Sequence, residues 1–394
     1  MKKNVVLVFP KPPFPIRDGG QKALAASVEL WAGLGVQLTI VVFHTPKHTW
    51  QPDQIPEEYT SQIRWIPVFV DTAFHPKHLW HALQKGMGMR AARFFDPNIL
   101  HQLIEICTPD QTDLVVFESP FTALYGLYFP SRPPVYWYRA HNVEYQIWSR
   151  GGKSLKSWIM WLDNFFLKRL EHRIWKKMDM TLTMTHEDRE TIRTFGAGST
   201  VEVLPVHMKK TGRPLHPFRR PLPFFHLGAM DWLPTREGIG WFVTEVWPRI
   251  KMTFPGSVLH LGGRHFPAHT GWEKQDGVSI HGEVEDVDAF LDQADVLVVP
   301  LFQGGGIRIK ILEALAAGKA VIASSKAQDG LDPQVKAVCI SAEDKAEDWI
   351  KAIHQLEGAS LEPLDFQKAV FSSYGLEECR KRLQDWMHHL NHKK

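Results

Sequence analysis

The chain has 394 residues, 44% of them hydrophobic and 23% charged, which is the composition of folded globular domains in a chain too long for one ordinary core. No run of eighteen apolar residues occurs, so no segment reads as a membrane span. The net charge of +3 is uneven: residues 1–210 hold 25 Lys+Arg against 19 Asp+Glu, residues 211–394 hold 21 against 24, and the mild basic excess of the front half comes with no nucleic-acid-binding motif.

"NVVLVF" at 4–9 reads as a first buried strand, and the prolines that follow it argue against a signal peptide. "PKPPFPIRDGGQ" leads from it to Gly19 and Gly20, which open a helix carrying Leu24, Val28 and Trp31 at helical spacing. Strands follow at 38–43, 113–118, 135–140 and 180–185, with helical segments between them. Alternating β and α segments predict a doubly wound parallel sheet. Within this half, "KSLKSWIMWLDNFFLKRLEHRIWKKM" (153–178) places Leu155, Ile159, Leu162, Phe166 and Leu170 on one stripe, widened by Trp158, Trp161, Phe165 and Trp175. Seven basic residues stand there against two acids, the pattern of a helix that lies on an anionic membrane surface. A core-facing helix with a solvated basic side is the other reading.

Residues 207–223, rich in proline and basic residues and without period, read as a linker between a first domain at 1–206 and a second at 224–363. The alternation restarts beyond it, with strands at 224–229, 257–263, 278–282, 295–301, 320–324 and 337–341. A helical stretch at 364–394 closes the chain and is expected to pack back on the first domain.

The densest chemistry lies in "QGGGIRIKILEALAAGKAVIAS" (303–324). Its glycines fall between a strand and a helix, at the carboxyl edge where open α/β sheets bind ligands. Gly304, Gly305 and Gly306 let backbone approach a ligand, the helix N-terminus offers N–H groups, and Arg308 and Lys310 add charge. Glu313 is placed to accept hydrogen bonds from ribose hydroxyls. The candidate ligand is a nucleoside diphosphate compound, and the competing reading is a tight turn with solvated basic residues.

On these motifs the chain resembles GT-B glycosyltransferases, and specifically family 4, the retaining nucleotide-sugar enzymes. "DGG" after the first strand, "RAHNVEY" (139–145), "THEDRETIRTFGA" (185–197), "HLGAMDWLPTREGIGWF" (226–242) and the run from Gly282 to Ser324 carry the resemblance. It implies two Rossmann-like domains facing a central cleft. It implies that Gly19 and Gly20 meet the donor diphosphate, that His141 hydrogen-bonds the transferred sugar, and that Gly305, Gly306 and Ile307 offer N–H groups. Arg308 would neutralise phosphate as a catalytic residue, with Lys310 and Arg264 as further diphosphate ligands. Glu313 would bind ribose, and Gly282, Glu283 and Val284 would lie beside the base. Transfer with retention is implied, the diphosphate taking the acceptor proton. Two departures stand out. The first of the family's two acids, eight positions before Glu313, is Gly305 here, and the usual Arg and Lys early in the second domain are represented only by Arg236 and Arg264.

No metal is expected. "EDVDAF" contains Asp286 and Asp288 in an Asp-x-Asp pattern, but it starts a helix, where acids favour the N-terminus. No HExxH or Gly-x-Ser-x-Gly motif occurs, which argues against a zinc protease and an α/β-hydrolase. Cys107, Cys339 and Cys379 are odd in number and widely spaced, which fits a reducing compartment. The expected location is the cytoplasm, with peripheral docking on the inner face of the membrane. The expected partners are a nucleotide-diphosphate sugar, a glycan or lipid-linked acceptor of the cell envelope and an anionic membrane surface, with no nucleic acid. A sugar-nucleotide epimerase of the same fold and a non-catalytic nucleotide-sugar-binding protein are the alternative functions.

Overall fold

Two all-parallel sheets organise the chain in a computed structural model that describes residues 2–73, 75–129, 134–147, 155–196, 198, 200–210, 212, 214–267, 270–304, 306–359 and 362–389. The chain divides into one unit of Met1–Val206 with Cys379–Lys394, and a second of His207–Glu378.

The first sheet contains β1 (Asn4–Phe9), β2 (Gln37–His44), β3 (Ile63–Phe69), β4 (Leu114–Phe117), β5 (Val135–Ala140), β6 (Met180–Thr183) and β7 (Thr200–Val203). Their order is β3-β2-β1-β4-β5-β6-β7, so connections leave β1 in opposite directions at a switch point between β1 and β4. The central strands are apolar almost throughout because both faces are covered by helices. β3 and β7 are additional to the strands expected from the sequence. Both are edge strands, where burial on one side relaxes the apolar signal: β3 contains Arg64 and Pro67, and β7 is only four residues long.

Helix α1 (Gly19–Ala32) follows β1, and helix α2 (Leu155–Lys177) precedes β6. The apolar stripe expected on α2 is corrected. Leu167, Leu170, Ile174 and Trp175 face the core, whereas Trp158, Ile159, Trp161 and Phe165 are exposed. Leu162 and Phe166 are half-buried, and residues 153 and 154 and the side chain of Leu155 lie outside the described residues. The helix is therefore a core element in its second half and an exposed aromatic surface in its first.

The second sheet contains β8 (Pro223–Leu227), β9 (Val258–Gly262), β10 (Val278–Gly282), β11 (Val296–Val299), β12 (Ala320–Ala323) and β13 (Ile340–Ser341), in the order β10-β9-β8-β11-β12-β13. Its switch point falls between β8 and β11. Helix α3 (Leu233–Trp241) follows β8, and helix α4 (Ile309–Ala316) lies between β11 and β12. Phe224, Trp247 and Trp349 fill its core. The basic, proline-rich stretch before β8 is fixed at one point by buried Asp295, which pairs with Arg219 at 2.8 Å.

The closing stretch is two helices, not one: α5 (Pro363–Tyr374) and α6 (Leu376–His389) divide at Gly375. α5 belongs to the second unit. From Cys379 onward α6 belongs to the first, where Cys379 and Leu383 are buried and Lys3 Nζ donates to Met387 O at 2.7 Å.

Candidate functional site

Both switch points carry charged side chains at the carboxyl ends of the strands. In the first unit, Asp18 caps α1, its side chain accepting from Gln21 N at 2.7 Å. The same carboxylate pairs with Lys11 Nζ at 2.8 Å. Burial alone would raise the Asp18 carboxyl, but Lys11 and the Gln21 N–H hold it below its ordinary value. Gly20 lies in the first turn against this pair, within about 3 Å of Lys11 Nζ where a side chain would start, and Gly19 faces open space. Lys11 is thus a cation beside Gly20 that the sequence reading did not single out.

His141 follows β5, and its partner is Glu118, directly after β4. Nε2 of His141 lies 2.8 Å from Glu118 Oε2. Glu118 is fully buried; its other oxygen accepts from Ser27 Oγ and lies 3.8 Å from Arg139 Nη1. Arg139 in turn donates to Ser27 Oγ at 2.8 Å. Burial pushes the Glu118 carboxyl up, but Arg139, His141 and Ser27 together bring it below its usual value, so it is a carboxylate at neutral pH. A buried carboxylate that fixes one ring nitrogen sets which edge of the imidazole is presented. The segment after His141 is also tied down: Glu171, fully buried, accepts from Glu144 N at 3.0 Å and Tyr145 N at 2.9 Å.

In the second unit the cationic residues converge. Arg308 is the cap residue of α4, buried, with Nη1 donating to Gly306 O at 3.0 Å and its guanidinium 5.2 Å from the Trp232 ring. Gly304 has φ 107°, and a Cβ there would stand 2.9 Å from the Trp232 ring, so the loop can pass under this tryptophan only as glycine. Lys310, in the first turn of α4, directs Nζ to His226 Nε2 at 3.2 Å. His226 is fully buried on β8, and its Nδ1 lies 2.8 Å from Val298 O. A Cβ on Gly228 would overlap Lys310 Nζ, so the loop after β8 closes over this nitrogen only because it is glycine there.

The remaining predicted residues lie on the same edge. The β8 loop is joined to the β9 loop by Gly228 N to Gly262 O at 3.0 Å and Met230 N to Arg264 O at 2.9 Å. This places Arg264, half-buried, beside the Trp232 loop. Gly263 N to Gly282 O at 2.7 Å adds the β10 loop with Gly282, Glu283 and Val284. That loop stands three strands from β11, roughly 14 Å at a spacing of about 4.8 Å per strand. Gly306 and Ile307 lead into α4, and Glu313 is half-buried one turn beyond Lys310. Gly305 lies outside the described residues. Asp286 is the side-chain cap of the helix Val287–Asp292, accepting from Ala289 N at 2.9 Å. Among the described residues no group of three His, Cys, Asp or Glu is placed to hold a metal ion.

His226 and Glu118 were missed by the sequence reading. The local signal for Glu118 is an acid directly after an apolar strand and before a Ser-Pro helix start, "VVFESP". His226 offers only a histidine inside "FFHLGAM", which says nothing about its partner.

Residues 223–358 match the family model described as glycosyl transferases group 1. No curated protein matches the chain. Among solved structures, TarM aligns over 99% of both chains with 11% identity and a TM-score of 0.69. A variant of S. aureus TarM in complex with fondaparinux, alpha-GlcNAc-glycerol and UDP aligns over 99% of this chain and 100% of that one, at 11% identity and a TM-score of 0.65. Anabaena HepE in complex with UDP and glucose aligns over 98% and 99%, at 10% identity and a TM-score of 0.59. The fold is GT-B, and the second unit carries a glycosyltransferase domain.

Proposed function

We infer that the protein moves a sugar from a nucleoside diphosphate donor to a glycan or lipid-linked acceptor of the cell envelope, with retention of anomeric configuration. The observation that carries this reading is the convergence of the glycine loop, Arg308 and Lys310 at the switch point of the second sheet. When the bond from the anomeric carbon to phosphate breaks, negative charge grows on the leaving diphosphate. Donors fixed in advance at that place stabilise the transition state, each by about 3–4 kcal/mol in comparable oxyanion sites. Arg308 and Lys310 supply the positive charge, so the reaction proceeds without a metal ion. On the retaining course, an oxygen of the departing diphosphate takes the acceptor proton. Glu313 serves the ribose and Gly282–Val284 the base. His141 offers its imidazole to a sugar hydroxyl.

UDP is the first donor nucleotide to try, since solved structures similar to this chain were obtained with it. The acceptor side of the reading rests on the exposed aromatics of α2. Trp158 is 58% and Trp161 63% exposed, and Lys168 and Arg169 lie on the same helix. Among the described residues no helix is long and apolar enough to cross a membrane. An exposed aromatic and basic face suits peripheral docking on anionic lipid. Flotation with anionic liposomes tests this part, and absence of binding removes it.

The central test is thermal stability with UDP, GDP and ADP, on the natural chain and on Arg308→Ala. A nucleotide at a hundredfold its dissociation constant adds about 2.7 kcal/mol. The expected result is stabilisation by one nucleotide, lost in the variant. Stabilisation by none of the three overturns the donor reading.

A further inference from the structure

Lys310 has an unusual setting for a phosphate ligand. Its Nζ is enclosed by the β8 strand and the Gly228 loop, with His226 as hydrogen-bond partner. His226 Nδ1 faces a carbonyl, Val298 O, and can only donate to it. The imidazole is neutral, since burial first and the neighbouring Lys310 second depress its pKa well below the ordinary value. Nε2 therefore presents a lone pair to Lys310. That lone pair orients the amine but supplies no counter-charge. Arg308, two residues before, adds a repelling charge. Of the nearby acids, Asp329 acts on Arg308, and Glu313 lies one turn further along α4. Burial first, and Arg308 second, bring the Lys310 pKa down to about 7.

We propose that Lys310 is a proton-coupled ligand of the donor diphosphate: it stands largely as a neutral amine in the empty site above neutral pH and takes one proton from solvent when a nucleoside diphosphate binds, with His226 as the positioning residue that holds its Nζ. The diphosphate brings a counter-charge to Lys310, whose amine is disfavoured as a cation by burial and by Arg308, so the ammonium form becomes the stable one. Nothing but a proton is exchanged: R–NH2 and H+ give R–NH3+. This inference rests on the donor reading above and deepens it. It makes donor affinity fall with rising pH and makes release of the diphosphate easier on the alkaline side.

The test is calorimetric titration with UDP, GDP and ADP at pH 8 in two buffers of different ionisation enthalpy. At this pH a terminal phosphate, with a second pKa near 6, is already ionised. The expected result with the nucleotide that binds is an uptake approaching about 0.9 proton at pH 8, and a dissociation constant that rises roughly tenfold from pH 8 to pH 9. Lys310→Arg, which cannot lose its proton, is expected to bind with no uptake and a flat profile over that range. His226→Leu is expected to weaken binding while His226→Gln, which keeps an acceptor, restores most of it. Binding to the natural chain without proton uptake overturns the proposal and leaves the donor reading standing. Uptake that persists in Lys310→Arg also overturns it. Binding of none of the three nucleotides overturns both.

Discussion

The two units place charge at the same point of the same topology and treat it in opposite ways. In each sheet the first strand lies centrally, flanked by its second and fourth, and the loops at that switch point carry the ionisable groups. In the first unit the charges at the switch point meet their opposites, Lys11 with Asp18 and Glu118 with Arg139, while His141 hydrogen-bonds Glu118. In the second, Arg308 and Lys310 lie on one loop and helix turn, and Lys310 is held by a neutral imidazole. Charge balanced within the protein fixes geometry, because a buried pair with its hydrogen bonds satisfied has one good arrangement. Two cationic side chains placed close together disfavour the charged form of Lys310 until an anion arrives, and so favour anion binding.

The largest way to break this contrast is to remove the carboxylate of the first unit. Glu118→Ala leaves Arg139, itself buried, without its counter-charge. Breaking a buried pair on one side costs about 3–5 kcal/mol, and that loss is expected in denaturant unfolding. Glu118→Gln keeps the shape and is expected to cost less. The pH dependence has a defined sign. The folded carboxyl lies below its unfolded value near 4.3, so its contribution is present above about pH 4 and is lost as acid protonates it. If Glu118→Ala unfolds with unchanged stability, the balanced-charge description of this unit fails.

A second acid of the same unit sharpens the comparison because its sign is reversed. Burial first pushes Glu171 up to about 8, with Glu144 and Asp188 adding repulsion, against the two N–H groups that it accepts from. A carboxyl with its folded pKa above the unfolded one favours the protonated native state. Stability is then expected to decline as pH rises from about 4 to 8 and to level off above, with a slope of at most about 1.4 kcal/mol per pH unit. Thermal melts of the natural chain and Glu171→Gln across pH 5–8 check this; the variant is expected to flatten the decline. A decline that is equally steep in Glu171→Gln assigns it to another group.

How much of this was legible in sequence follows from distance along the chain. The glycine loop, Arg308, Lys310 and Glu313 fall within eleven residues, so the strand, loop, helix and their charges could be read together. The Glu118–His141 contact joins residues 23 apart, Arg139–Ser27 spans 112 and His226–Lys310 spans 84. Sheet order decides those meetings, and a single sequence does not state sheet order. His141 was singled out but its partner was not; the β4–β5 pairing gives it Glu118. Strands buried on both sides were recognisable as apolar runs, whereas edge strands β3 and β7 were not. On α2 the apolar period was visible, but many aromatics on one helix left its phase open, and packing of Leu167, Leu170 and Ile174 settled which side is core.

The smallest effect concerns Trp232, which distinguishes the two sites in another way. The ion pairs at the first switch point are held by hydrogen bonds, whereas Arg308 also lies 5.2 Å from the Trp232 ring. Trp232 is 40% exposed, so the ring covers the guanidinium from the solvent side without being core. A cation over an aromatic face in such a place gains about 0.5–1 kcal/mol. Gly304 also runs against this ring, so the tryptophan braces loop and guanidinium together. Trp232→Ala is therefore expected to weaken nucleotide binding about two- to fivefold, with the melting temperature of the empty protein little changed. Trp232→Phe is expected to recover part of the affinity, because a smaller ring keeps a weaker face. Titration of both variants with the stabilising nucleotide checks the order. Equal affinity in Trp232→Ala and the natural chain means that hydrogen bonds alone set the Arg308 position, as they do for His141, and the contrast between the two sites narrows to their charge.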